Sequence, residues 1–263
     1  MNITKSAVIS SLRDMKNFHD QLQGLYTANG MDLTQDVGRR NILMSLPMEH
    51  NLTKELKFVN EKVVNDGRTG KADIIITNGE IEEELECKLT SPHKSGAISL
   101  QSDFDTLERK GSLDYMYYIA DRKFEKFVVI HFKGLTVDDF RSVSPGSRGK
   151  VQMKYSNAMS KAEVLVGKVN NSNHEKRRKI FEKIILLRRK ANVRLLELQQ
   201  RFEACSENAD AQKNKITKMI ENCIMSTESR AFKLMKEFED VAKKTPRFSF
   251  EFADIQQPIV EEL

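Results

Sequence analysis

Apolar residues recur at helical spacing in the first segment of the chain. Val8, Ile9, Leu12, Met15, Phe18, Leu22 and Leu25 step by one, three and four, which predicts a helix over residues 4–29 with Thr4 as N-cap and Asn29-Gly30 as its stop. A short apolar stretch over 39–46 runs into Pro47, and a second helix is expected to start near Glu49, with Leu52, Leu56 and Val59 on one face. Asp66-Gly67-Arg68-Thr69-Gly70 reads as a turn cluster. The period then shortens to two. Residues 73–77 (DIIIT) are strand-like, and Asn78-Gly79 is a hairpin signal. Residues 81–89 alternate, with Ile81, Leu85, Cys87 and Leu89 on one face and Glu82, Glu84, Glu86 and Lys88 on the other, although Glu83 interrupts the apolar side. Residues 100–110 read as a helix, 115–120 and 126–132 as two strands, and 144–150 (SPGSRGK) as a loop.

From about residue 161 the pattern reads as helical again. Ile180, Ile184, Leu187, Ala191, Leu195, Leu198 and Phe202 form a heptad-like stripe, and a further long helix covers about 210–243, the two making an antiparallel hairpin that turns at 206–210. The expected architecture is α/β: a mixed central β-sheet flanked by helices, then a C-terminal all-helical region with two long helices. The expected division is a catalytic core over 1–155 and a helical region over 156–263.

Charge and composition sharpen this picture. The 263 residues carry a formal net charge of +5, yet residues 172–194 alone hold nine bases against two acids. Such a segment suits a polyanion, a coiled-coil arm, or simply the solvated face of a packed helix, and the sequence leaves all three open. No run of 18 apolar residues exists, so no membrane-spanning helix and no membrane partner are expected. The first 25 residues lack an apolar core of the secretory type. The three cysteines, Cys87, Cys205 and Cys223, lack metal or disulfide spacing, and a cytoplasmic location is expected. The five histidines are scattered, which argues against zinc. No phosphate-loop motif indicates ATP, and no nucleophile elbow is present.

One constellation carries chemistry. Asp73 opens the first hairpin strand, and Glu86 lies in the middle of the second, thirteen residues on. Paired strands are about 4.8 Å apart, so two such carboxylates can grip one divalent cation. Glu86 and Lys88 point the same way while Cys87 points into the core. Hard oxygen donors prefer Mg²⁺ or Mn²⁺ to zinc, and an adjacent ammonium suits phosphodiester hydrolysis.

At these residues, Asp73 in GKADIII and Glu86-Cys87-Lys88 in ELECKLT, the chain resembles the PD-(D/E)xK nuclease superfamily, and especially type II restriction endonucleases. Ala72 stands where that pattern has proline, and the resemblance covers roughly residues 45–135. It implies a Mg²⁺-dependent, sequence-specific endonuclease acting on double-stranded DNA, with Mn²⁺ as a substitute. Asp73 and Glu86 would hold the metal and Lys88 would position the attacking water. It also implies an acidic residue from a preceding helix. Glu49 is the match, and it reads equally as a first-turn glutamate favoured by the helix dipole. A palindromic target would imply a homodimer. Lys94, just after the catalytic strand, Arg148, Lys150 and Lys154 in and after the basic loop, and Arg177 and Arg178 in the basic helix are the expected DNA contacts. Two other readings compete: a nuclease of the same superfamily that reads DNA structure in repair, recombination or phage biology, and a non-enzymatic helical scaffold or DNA-binding protein.

Overall fold

The computed structural model describes residues 1–68, 71–144, 146–147, 149–206, 209–245 and 247–256. The described chain is mixed α/β, with six α-helices, two of them long and C-terminal, and a mixed sheet. None of its helices is long and apolar enough to cross a membrane.

Helix α1 (Lys5–Ala28) starts where Thr4 accepts a hydrogen bond from the Ala7 amide and ends before Gly30, whose φ is +72°. Helix α2 spans Val37–Leu56, capped by Asp36, and continues through Pro47. The break expected there does not occur. Met44, Met48, Leu52 and Leu56 form one fully buried stripe on both sides of the proline, and packing outweighs the missing amide.

Strands β1 (Lys62–Asn65), β2 (Ile74–Asn78) and β3 (Ile81–Thr90) form an antiparallel meander, with Gly79 at φ +60° in the β2–β3 turn. Residues 101–110, expected as one helix, divide into strand β4 (Gln101–Asp103) and the shorter helix α3 (Phe104–Lys110). Strand β5 (Leu113–Ala120) runs parallel to β3, and β6 (Lys126–Leu135) runs antiparallel to β5. The short β7 (Lys150–Gln152) pairs with β4, which takes residues 101–103 out of the helix, and α4 (Tyr155–Ala158) follows.

Residues 162–171, expected to be helical, are instead β8 (Ala162–Val166) and β9 (Lys168–Asn171). Val164 and Val166 of β8 pair with Ile130 and Val129 on the free edge of β6. Gly167 makes the corner at φ +74°, and a Cβ there would lie 2.6 Å from the Glu251 carbonyl. The long helices α5 (Ser172–Glu203) and α6 (Asp210–Ala242) follow, then β10 (Phe248–Glu251), which pairs with β9, and β11 (Ala253–Asp254), which pairs with β6.

The chain divides into two compact units, residues 1–169 with 250–263 and residues 170–249, so the boundary falls later than 155/156 and the C-terminal strand belongs to the first unit. In that unit the sheet order is β1-β2-β3-β5-β6, and β8 and β11 share the outer edge of β6. One face packs under α1 and α2 through Leu12, Met48, Ile74, Leu85, Cys87 and Tyr118. The other holds Leu107, Tyr115, Tyr117, Ile130, Phe140 and Val151. In the second unit α5 and α6 pack around Ile180, Ile184 and Val241, joined by Leu234 and Phe238.

Arg40 is fully buried in α2. Its guanidinium donates to the Arg122 carbonyl at 2.7 Å, the Ser91 hydroxyl at 2.7 Å and the Asp121 carbonyl at 3.2 Å, and it stacks over Phe124. It thereby ties α2 to the residue after β3 and to the β5–β6 turn. Arg40→Met should destabilise the protein by roughly 3 kcal/mol, because these buried acceptors lose their donor. Urea unfolding checks this; an unchanged midpoint would contradict it.

Candidate active site

The β2–β3 register decides where the acidic residues meet. Ile74 faces Leu85, and each further residue of β2 faces one earlier in β3, so Asp73, one step before β2, comes opposite Glu86. Directly opposed residues share a face of the sheet, with Cβ atoms about 4.5–5.5 Å apart. Leu85 and Cys87 go to the core under α1 and α2. Glu86 and Lys88 go to the other face, beside Tyr115 and Tyr117, their neighbours across the parallel β3–β5 pair. The three expected residues Asp73, Glu86 and Lys88 are therefore brought together.

Their contacts are specific. Asp73 Oδ2 accepts the Cys87 amide at 2.8 Å. Lys88 Nζ donates to Glu86 Oε1 at 2.6 Å and lies 4.0 Å from Asp103 Oδ2. Glu86 is 9% exposed, so this ion pair is largely shielded from water. Burial, and then repulsion from Glu86, push the Asp73 carboxyl up to about 6, although the Cys87 amide and Lys88 oppose the shift. Glu49 joins the same field from α2: burial and then Asp73 push it up to about 7, against the pull of the Asn65 side chain. Burial acts to lower the Lys88 pKa, but Glu86, Asp73 and Asp103 together raise it, so the ammonium stays charged. Burial raises the Cys87 thiol well above its ordinary value, which removes it as a nucleophile.

Among the described residues, no three His, Cys, Asp or Glu side chains are gathered as a metal-holding group. Asp73 is engaged by the Cys87 amide and Glu86 by Lys88.

The expected DNA contacts fare unevenly. Lys150 is exposed and lies 3.6 Å from Asp103, so Asp103 links it to Lys88. Lys94 is exposed in the turn after β3. Lys154 is exposed and reaches the Asp138 carbonyl at 3.2 Å. Arg148 lies outside the described residues. Arg177 covers the Phe238 ring at 4.1 Å and serves the packing of the helical hairpin, and Arg178 is 3.7 Å from Glu182 on its own helix.

Two residues of the site escape the sequence reading. Asp103 reaches Lys88 because β4 is held to the sheet, where Ser102 bonds the Tyr115 hydroxyl at 2.6 Å and the Tyr117 hydroxyl donates to the Gln101 carbonyl at 2.9 Å. Asn65 stands beside Glu49 at the end of β1. Asn65 ends the short apolar run Val63-Val64, whereas Asp103 follows the polar Gln101-Ser102 and carries no such signal.

Compared with protein-family models, curated proteins and solved structures, the chain has no match.

Without a cation the folded protein holds protons on Asp73 and Glu49 more tightly than the unfolded chain does. Their contribution to stability is complete below about pH 4. It is lost as pH rises through about 6 for Asp73 and about 7 for Glu49. In EDTA, Asp73→Asn should therefore melt higher than wild type at pH 8, with the gap closing toward pH 4. Thermal melts followed by circular dichroism check this; the same gap at both ends of the range would contradict it.

Proposed function

We propose that the protein is a Mg²⁺-dependent endonuclease that hydrolyses phosphodiester bonds of double-stranded DNA at a recognised sequence, in the manner of type II restriction enzymes of the PD-(D/E)xK superfamily. The observation that carries this reading is the register that sets Asp73 opposite Glu86, with Lys88 on the same sheet face.

Asp73 and Glu86 offer hard oxygens of the kind Mg²⁺ prefers, and burial, followed by the neighbouring carboxylates, raises the Asp73 and Glu49 carboxyls, which a cation would oppose. Asp73 and Glu86 would hold the ion, and Glu49 adds to the negative field around them. When bound, Mg²⁺ or Mn²⁺ lowers the pKa of a coordinated water and offsets phosphate charge. Lys88, kept protonated by its acidic neighbours, orients the attacking water and stabilises the charge that develops on the phosphate. Asp103 adds a second acid beside the ammonium, and Lys150, paired with Asp103, would meet the flanking backbone. The exposed Lys94 and Lys154 are further candidates for backbone contact, as Arg148 is from the sequence.

A two-fold symmetric target calls for a homodimer. Apolar side chains left uncovered on the long helices support one: Leu196 is 58% exposed, Met225 71% and Phe232 73%. Sedimentation should give a dimer for wild type and a monomer for Met225→Glu/Phe232→Glu; a wild-type monomer would remove this part of the proposal.

Incubation with supercoiled plasmid and Mg²⁺, followed by end mapping, tests the activity. Discrete fragments with uniform ends are expected, and EDTA should abolish them. Lys88→Ala should slow cleavage about 10²–10³-fold, the usual effect of losing one charge-stabilising donor. Asp73→Ala should lower it below detection while duplex binding persists. Cleavage by either variant at the wild-type rate would overturn the assignment.

A further inference from the structure

The basic segment reads along the sequence as one undivided run of charge. In the folded hairpin it separates into flanks. Lys176, Lys183 and Lys190 recur every seven residues of α5, so they share one stripe about 21 Å long. On the neighbouring helix Arg230, Lys233 and Lys236 stand at steps of three. The two sets line one continuous groove between the helices. Lys176, Lys233 and Lys236 border one stretch of it, and Lys183, Lys190, Arg230 and Lys233 the next, over a floor of Leu187 and Leu234.

All six cations are exposed. Among the described residues, the ion pairs of this unit are Arg178–Glu182, Arg194–Glu197 and Lys243–Asp240, so none of the six is neutralised by a carboxylate. Glu237 and Asp240 lie at one end of the groove and temper it there. The other acids of α6 avoid it: Glu221, Glu228 and Glu239 fall about 120–140° around the helix from Lys233. Away from that end, Lys183, Lys190, Arg230 and Lys233 line the groove with no acid among them, which costs repulsion unless a polyanion lies along them.

We propose that this flank of the α5–α6 hairpin binds the sugar–phosphate backbone of duplex DNA, as a phosphate-tracking surface in addition to the hydrolytic site. Its elongated form suits a charged rod, whose phosphates would meet the cations on either side of a strip formed by Leu186, Leu187 and Leu234. The choice of duplex DNA rests on the nuclease reading; the unneutralised groove does not. Arg177 and Arg178, the bases singled out from sequence, are not among the groove residues, because one packs on Phe238 and the other pairs with Glu182.

The test uses the full chain and a fluorescent duplex of roughly 30 base pairs in EDTA, so that binding is read without cleavage. Lys183→Gln/Lys190→Gln/Lys233→Gln removes three charges at little cost in helix propensity. Anisotropy titrations across a potassium chloride series should give at least a tenfold loss of affinity, and a salt slope shallower by about two to three, near 0.9 per lost phosphate contact. Lys5→Gln/Lys57→Gln/Lys62→Gln removes the same charge from the first unit and should change affinity less than twofold. Circular dichroism establishes that both triples are folded. An unchanged slope for the groove variant, or equal losses in the two triples, would overturn the proposal. So would tighter binding to single-stranded RNA, polyglutamate or phosphatidylserine vesicles than to the duplex. If wild type binds through the groove but leaves plasmid intact in Mg²⁺, the hydrolytic assignment fails and the groove stands. If plasmid is cut and the groove variant binds as wild type does, the reverse holds.

Discussion

Two carboxylates facing each other across a strand pair repel, and the packing of this protein prevents them from separating. Ile74, Ile76, Leu85 and Cys87 all enter the core beneath α1 and α2, which excludes a slip of one residue, since that would turn Ile74 and Ile76 away from the face of Leu85 and Cys87. The tight turn after Asn78 excludes a longer slip. The alignment that buries the isoleucines brings Asp73 to Glu86 as an unavoidable consequence. The hydrophobic effect thus sets the electrostatics of the site: burial supplies the restraint, and the raised Asp73 and Glu49 carboxyls record its cost.

The second face of the sheet completes the arrangement. Tyr115 and Tyr117 follow Glu86 and Lys88 across the parallel pair, and their hydroxyls hold the β4 ribbon. Asp103, at the end of that ribbon, is brought near Lys88 as a result. Lys88 is therefore flanked by acids that come from its own strand and from a segment fifteen residues later in the chain. A half-buried ammonium is held charged by this compensation. On the opposite face, Arg40 joins α2 to Ser91, so the strand that carries Glu86 and Lys88 is secured just past its end.

The parts of the fold legible in the sequence are those decided locally. Thr4 caps α1 through a contact three residues away, Asn78-Gly79 closes a hairpin on itself, and the stripes of α5 and α6 repeat within single helices. The errors arise where distant partners decide. Pro47 lies in a helix because Met44 and Met48 are buried against the sheet, residues 101–103 pair with β7, and 162–166 pair with β6. The site divides in the same way. Asp73, Glu86 and Lys88 belong to one hairpin, so alternation suffices to put them on one face. Asp103 and Asn65 arrive through pairings with β7 and β2, which no local pattern announces. The charge run at 172–194 was visible, but which of its members packs on an aromatic ring was not.

The outer edge of the sheet has an unusual kinetic implication. Strand β6 takes its final partners from two pieces, β8 and β11, that lie on either side of the eighty-residue excursion from Asn170 to Ser249. Joining such remote pieces through a slack chain would be slow. Two antiparallel helices of nearly equal length return the chain to its point of departure, where Asn173 donates to the Lys244 carbonyl and the Ser172 amide to that of Arg247. The helical hairpin thus holds the two ends of the excursion together, so that the chain entropy lost in bringing β8 and β11 to one edge is that of a short loop and not of eighty residues.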